Sequence, residues 1–135
     1  MPQFRKVTDR LSVSPQITVE EAREAAASGF VLIINNRPEA EAPDQPRGAD
    51  IEAVARAGGA AYLHLPFAGR PTPELAKAQA EAVAAANGPV LAFCRSGTRS
   101  ITAWALGEAE GGADREELVR LAASAGYDLA PLLLG

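Results

Sequence analysis

Gly88-Pro89-Val90-Leu91-Ala92-Phe93-Cys94-Arg95-Ser96-Gly97-Thr98-Arg99-Ser100 is the stretch whose reading decides the fold. Residues 89–93 are apolar and read as a strand, with Cys94 at its carboxyl end. Residues 95–98 read as a tight loop, and a helix follows to about residue 108. Gly97 permits a positive φ, so the loop can curl and turn its backbone N–H groups inward as an anion-binding nest. The positive end of the following helix points at the same place. Arg99 adds a fixed charge with the fork geometry that suits an oxyanion. In such surroundings a cysteine titrates at ~3.5–7.5 rather than ~8.5, and the thiolate is the nucleophile. A lone strand-end cysteine is otherwise a small inert hydrophobe. The glycine three residues after Cys94 and the arginine five residues after it set this one apart.

Working outward, strands alternate with helices. Residues 72–86 read as a helix opened by a Thr72 cap and Pro73 at its first position, and they end at Asn87-Gly88. Before them, 61–67 read as a strand and 68–71 as a turn. A helix over 49–57 stops at Gly58-Gly59 and is preceded by a polar loop, 35–46, broken by three prolines. The continuous apolar run 30–34 is what a strand buried on both faces looks like. Thr18 and Glu21 form a capping box for a helix ending at Gly29, after a first strand over 11–17. A last helix, about 114–125, leads into an apolar tail. The pattern predicts an α/β fold with a small four- to five-stranded, mostly parallel sheet flanked by helices. In such sheets ligands bind at the carboxyl ends of the strands, where both Cys94 and the loop from Asn35 lie.

The chain has 135 residues, which fits a single domain over 1–135. Apolar residues make up 47% of it but aromatics only 5%, so alanine and the aliphatics must do most of the packing. A net charge of −4 argues against nucleic acid as a partner, because phosphate backbones call for a basic face. With one cysteine and one histidine, neither a disulfide framework nor a cysteine- or histidine-rich metal site is expected, and no cofactor is. No apolar leader and no run of ~20 apolar residues is visible, so no membrane association is expected. The cytoplasm is the expected location, and it would keep Cys94 reduced.

CRSGTRS, residues 94–100, resembles the active-site loop shared by rhodaneses and cysteine phosphatases. The segments LSVSPQI, GFVLIINNRPEAE, DQP, AYLHLPF and GPVLAFCRSGTRS cover most of 11–104. Together they resemble a small bacterial family described as the beta-lactamase-hydrolase-like, phosphatase-like domain, some members of which are labelled sulfur transferases. The resemblance implies a protein-tyrosine-phosphatase-like fold of the dual-specificity type. It also implies Cys94 as nucleophile, with Arg99 and the loop residues Arg95, Ser96, Gly97, Thr98 and Ser100 as anion binders.

Two features separate the chemistries this family resemblance allows. Cysteine phosphatases place five residues between Cys and Arg, whereas here Arg99 comes one residue early. Rhodaneses commonly use a six-residue loop, and Cys94 to Arg99 matches that count. Phosphatases of this fold also carry an acidic proton donor after the third strand, where this chain has no Asp and Glu74 falls in a helix's first turn. Glu39, Glu41 or Asp44 of the proline-broken loop could supply a donor, or be solvated loop charge. The expectation is therefore a rhodanese-type sulfurtransferase that forms a persulfide on Cys94. It would use a small anionic sulfur donor and a thiol acceptor, with a persulfide-metabolising enzyme as a possible partner. The alternative is a phosphatase acting on phosphate esters through a Cys94 phosphoenzyme, and the third reading is a noncatalytic anion- or partner-binding module.

The remaining residues carry bland and functional readings side by side. Arg37 either reaches the Cys94 pocket as an anion binder or pairs with Glu39 or Glu41, and Asp44 is a second possible contributor from that loop. Asn35 and Asn36 brace the loop, His64 is a satisfied sheet histidine, and Ile101 with Trp104 is a core stripe. Ser100 either hydrogen-bonds the Cys94 sulfur or is a plain first-turn residue. The tail 129–134 packs on the sheet edge or on a second subunit.

Overall fold

A computed structural model of the chain describes residues 4–135. The leader reading of the amino terminus therefore falls partly, at residues 1–3, outside the described residues. Among the described residues, five strands form one sheet: β1 (Arg5–Lys6), β2 (Leu11–Ser14), β3 (Leu32–Asn35), β4 (Ala61–His64) and β5 (Val90–Phe93), in the order β1-β2-β5-β3-β4. All pairings are parallel except β1 with β2. Six helices accompany them among the described residues: α1 (Val19–Ala27), α2 (Gly48–Ala57), α3 (Pro73–Ala85), α4 (Thr98–Glu110), α5 (Arg115–Ser124) and α6 (Ala130–Leu133). The fold is the α/β arrangement the alternation predicts.

The period-2 geometry of the central strand divides the core. Val90 and Ala92 of β5 join Leu11, Val13, Ile34, Ile101, Trp104, Leu118 and Leu133 on the face covered by α3 to α6. Leu91 and Phe93 join Ile17, Ala25, Ile33 and Ile51 on the face covered by α1 and α2. Thr18 and Glu21 cap α1 reciprocally, Thr72 caps α3 ahead of Pro73, and Asp114 caps α5. The tail packs on its own domain: Leu129 and Leu133 are buried in the α3–α6 face, while Pro131 and Leu134 are exposed.

Strand ends differ from the sequence expectation for chemical reasons. β2 stops at Ser14 rather than residue 17 because Pro15 has no N–H to continue the ladder. β4 stops at His64 ahead of Pro66, although the Leu65 and Phe67 N–H groups still reach the carbonyls of Asn35 and Asn36. β1, two residues long, is too short to leave a pattern in the sequence. The register aligns Ser14, Phe93 and Asn35 across three neighbouring strands, so all three chains leave the sheet side by side.

α3 and α4 approach closely because Gly107 has no side chain. A Cβ there would press on the Ala76 carbonyl oxygen and lie 2.7 Å from the Ala80 Cβ. Gly107→Ala is expected to destabilise the protein by about 1–3 kcal/mol. Gly111→Ala, whose nearest neighbour would be at 3.5 Å, should stay within about 0.5 kcal/mol of the wild type. Urea denaturation of the two variants checks the difference, and equal midpoints would refute the packing account.

Candidate active site

Cys94 follows the last residue of β5 and is fully buried. Its N–H reaches the Ser14 carbonyl at 3.4 Å, while the Asn36 N–H donates to the Phe93 carbonyl at 2.9 Å. The next turn closes quickly. Gly97 adopts φ 92°, caps α4 with its backbone alone, and donates its N–H to the Cys94 Sγ at 3.1 Å. Outside, Gln16 N–H holds the Arg95 carbonyl at 3.2 Å, and the exposed Ser96 and Thr98 hydroxyls bond each other at 3.0 Å. The backbone N–H groups of Arg95, Ser96, Arg99 and Ser100 find no acceptor among the described residues. They are the unfilled donors of a nest at a helix N-terminus.

Arg99 lies in the first turn of α4. Its Nη1 and Nη2 each donate to a Glu41 carboxylate oxygen at 2.8 Å, and Nη1 also donates to the Phe67 carbonyl at 2.9 Å. The same Glu41 carboxylate accepts from Arg37 Nε at 2.8 Å. Arg37, 4% exposed, is further held by Gln16 Oε1 at 3.0 Å, and its carbonyl faces His64 Nε2 at 2.9 Å. Glu41 thus bridges two guanidinium groups. Hydrogen bonds from Arg99 first and Arg37 second lower its carboxyl from the ordinary 4.5 to about 2, against a burial effect that opposes them. In return the Glu41 carboxylate, and after it the negative charge of Cys94, hold the Arg99 proton more tightly than usual.

For Arg37 the structure shows the pairing reading. It pairs with Glu41, and through Glu41 it joins the Arg99 side of the loop. Other expectations need correction. The Ser100 Oγ is buried without a hydrogen-bond partner and does not donate to the Cys94 sulfur, which takes its bond from the Gly97 N–H instead. Arg95 is exposed. Asp44 is exposed and makes no side-chain bond to the loop. Of the three carboxylates weighed as proton donors, Glu39 is bound to the Gly48 N–H at the start of α2, and Glu41 is ionised between its arginines. Glu41 therefore presents no proton to the Cys94 side.

Three supports were missed in the sequence. Gln79 of α3 forms a reciprocal amide pair with Asn36 at 2.9 Å and donates to the Ser100 carbonyl at 3.2 Å, tying α3 and α4 to the end of β3. Its signal was available, because a glutamine interrupts the buried Ala76–Ala80–Val83 stripe. Gln16 and Tyr127 carry no comparable signal.

Residues 3–111 match the family model described as "Beta-lactamase hydrolase-like protein, phosphatase-like domain". The Beta-lactamase hydrolase-like protein of Agrobacterium fabrum is 34% identical over 126 residues, which cover 92% of this chain and 29% of that protein. The chain thus spans less than a third of the length of the curated relatives it matches. Among solved structures, a candidate phosphatase from Neisseria meningitidis is similar at a TM-score of 0.86 and 30% identity, covering 99% of this chain and 96% of that one. Tk-PTP in its active form has the same fold, with a TM-score of 0.70 at 21% identity over 93% of this chain and 86% of that one. The architecture is protein-tyrosine-phosphatase-like. No helix among the described residues is long and apolar enough to cross a membrane.

The Glu41 bridge has a pH signature. A carboxyl lowered in the folded state adds stability that is complete above its unfolded value and is lost as pH falls through the folded one. For Glu41 the loss runs from pH 4.5 down through about 2. Melting temperatures of wild type and Glu41→Gln should differ at neutral pH, with the wild type higher, and converge over that acid range. A gap that persists to the lowest pH would refute the ion-pair origin.

Proposed function

The chain belongs to the beta-lactamase hydrolase-like, phosphatase-like domain family, and from that premise we propose that it is a cysteine-dependent phosphatase cleaving phosphate monoesters. The observation that carries the reading is the Arg99 fork, which engages two anionic oxygens at 2.8 Å each beside the Cys94 loop. A carboxylate and a phosphoryl group present the same pair of oxygens to a guanidinium. The likeness to the Neisseria protein supports phosphate-ester cleavage over the sulfur transfer expected from loop length.

In this reading, residues 1–135 act as one catalytic domain in a reducing cytoplasm. The phosphoryl oxygens displace Glu41 from Arg99 and accept from the free N–H groups of the loop, while Arg37 keeps hold of Glu41. Cys94 Sγ attacks phosphorus, an S–P bond forms as the ester P–O bond breaks, and the departing alkoxide takes a proton from water. Water then attacks phosphorus, breaks the S–P bond, releases inorganic phosphate and returns the thiolate. Because Glu41 stays ionised, the reaction favours esters whose alcohol leaves readily without protonation.

Sulfur transfer is the second reading, favoured by one specific observation: the six-residue count from Cys94 to Arg99. A sulfane sulfur taken from an anionic donor would sit on Cys94 as a persulfide and pass to a thiol acceptor, which a neighbouring persulfide-metabolising enzyme could serve.

Phosphate release from aryl phosphates is expected from the wild type, much more slowly from alkyl phosphates and not at all from Cys94→Ser. Arg99→Lys should lose about 10²-fold or more in kcat, because one ammonium cannot replace the fork. Intact mass after exposure to thiosulfate completes the test. A gain of one sulfur that Cys94→Ser lacks, without phosphate release from any aryl ester, would replace this reading by the second.

A further inference from the structure

The part of the chain beyond the family match, which ends at residue 111, sends one side chain back to the Cys94 loop. Tyr127 follows Gly126 after α5, is 8% exposed, and belongs to the core cluster on the α3–α6 face. Its hydroxyl donates to the Ser96 carbonyl at 2.9 Å. That carbonyl and the Gly97 N–H are the two ends of one trans peptide, and the Gly97 N–H donates to the Cys94 Sγ at 3.1 Å. The three groups form a single line, from phenol through peptide to sulfur. Gly97 and Tyr127 are fitted to each other: a Cβ on Gly97 would collide with the phenol oxygen and lie 3.0 Å from the ring carbon that bears it.

We propose that Tyr127 is a positioning residue for the nucleophile, its hydroxyl holding the Ser96–Gly97 peptide so that the Gly97 N–H stays on the Cys94 sulfur. This rests on the reading of Cys94 as the attacking atom. The need for such a lock follows from Gly97 itself. Without a Cβ, glycine crosses easily between backbone conformations, so the peptide before it can rotate and present its carbonyl oxygen to the sulfur. An N–H on the sulfur favours the thiolate, whereas a carbonyl oxygen disfavours it. A carbonyl that accepts a hydrogen bond also makes its own N–H a stronger donor. Burial first, and with it the charge of Cys94, push the Tyr127 phenol above its ordinary value of 10, so it remains a donor at neutral pH, although nearby Arg5 works the other way. The Arg5 guanidinium, 5.3 Å from the ring centroid, holds the ring in place from its outer face.

The test is Tyr127→Phe in the full chain, which removes one oxygen. Cys94 is the only thiol, so ultraviolet thiolate absorbance titrates it without labelling. The titration should move to higher pH by about half a unit or more. For an aryl phosphate, kcat at neutral pH should fall and recover as pH rises, with KM little changed. An unmoved thiol titration, with or without a lower melting temperature, would reduce Tyr127 to a packing residue and overturn the proposal. If the variant does not fold, fluorotyrosine incorporation in a Tyr62→Phe background makes the test in the opposite direction. A more acidic phenol donates more strongly, so the thiol should titrate at lower pH, and no movement overturns the proposal. The titration needs no turnover, so failure of phosphate release would strike the proposed function and leave this inference standing.

Discussion

β5 is paired on both edges and buried at all four residues, and that burial constrains everything after it. The chain leaves the sheet at Phe93 inside the protein, between the ends of β2 and β3, and turns from buried Cys94 through exposed Arg95 and Ser96 back to buried Gly97. Backbone groups at the buried ends of such a turn are costly unless they are paired. Four groups around the turn are paired: Phe93 carbonyl by Asn36, Cys94 N–H by Ser14, Arg95 carbonyl by Gln16 and Ser96 carbonyl by Tyr127. With its carbonyls engaged in this way, the turn leaves N–H groups for the other side. The electropositive character of the loop is thus a by-product of where the carbonyls had to go, reinforced by the start of α4.

This explains why the fold was readable from sequence and much of the site was not. Apolar runs, the Thr18 capping box and the Thr72-Pro73 start are local signals, and each marks its element within a few residues. The Cys94–Gly97–Arg99 spacing is equally local, so the strand, turn and helix around the nucleophile were legible too. Glu41 is different. Its pairing with Arg37 spans four residues and lay among the options, but its pairing with Arg99 spans 58 and depends on how the 35–46 loop folds over the strand ends. That loop turns at Ala40, with φ 57°, and Gln45 ties it down through the Glu41 N–H and the Pro38 carbonyl. The outcome singles out Glu41 from three acids of similar sequence setting and leaves Asp44 in solvent. Tyr127 was invisible for the same reason: it lies 31 residues from Ser96 in a segment without repeat or motif.

The polar pair behind the site gives the arrangement its rigidity. Asn36 and Gln79 are both fully buried and satisfy one another, and each holds a backbone carbonyl as well, at Leu65 and Ser100. Networks of this kind specify one geometry, because any slip leaves amide groups unpaired in a dry interior. Here the geometry specified is the distance between β3 and the first turn of α4. Arg99 sits on one of these elements and the Arg37–Glu41 loop springs from the other.

The same bridge limits the chemistry. An acid catalyst must hold a proton near the working pH, and a carboxyl lowered to about 2 by two guanidinium groups holds none there. Glu41 instead fills the Arg99 fork as a resident anion, which on the phosphatase reading an incoming group with more charge would displace. A phosphoryl dianion can do so, because it offers Arg99 the same two oxygens and also meets the unpaired N–H groups of the loop, which the Glu41 side chain leaves unused. Arg37 meanwhile keeps the displaced carboxylate paired, so exchange of one anion for another strands no charge. On the phosphatase reading, selectivity in such a site would come from charge and from the departing alcohol.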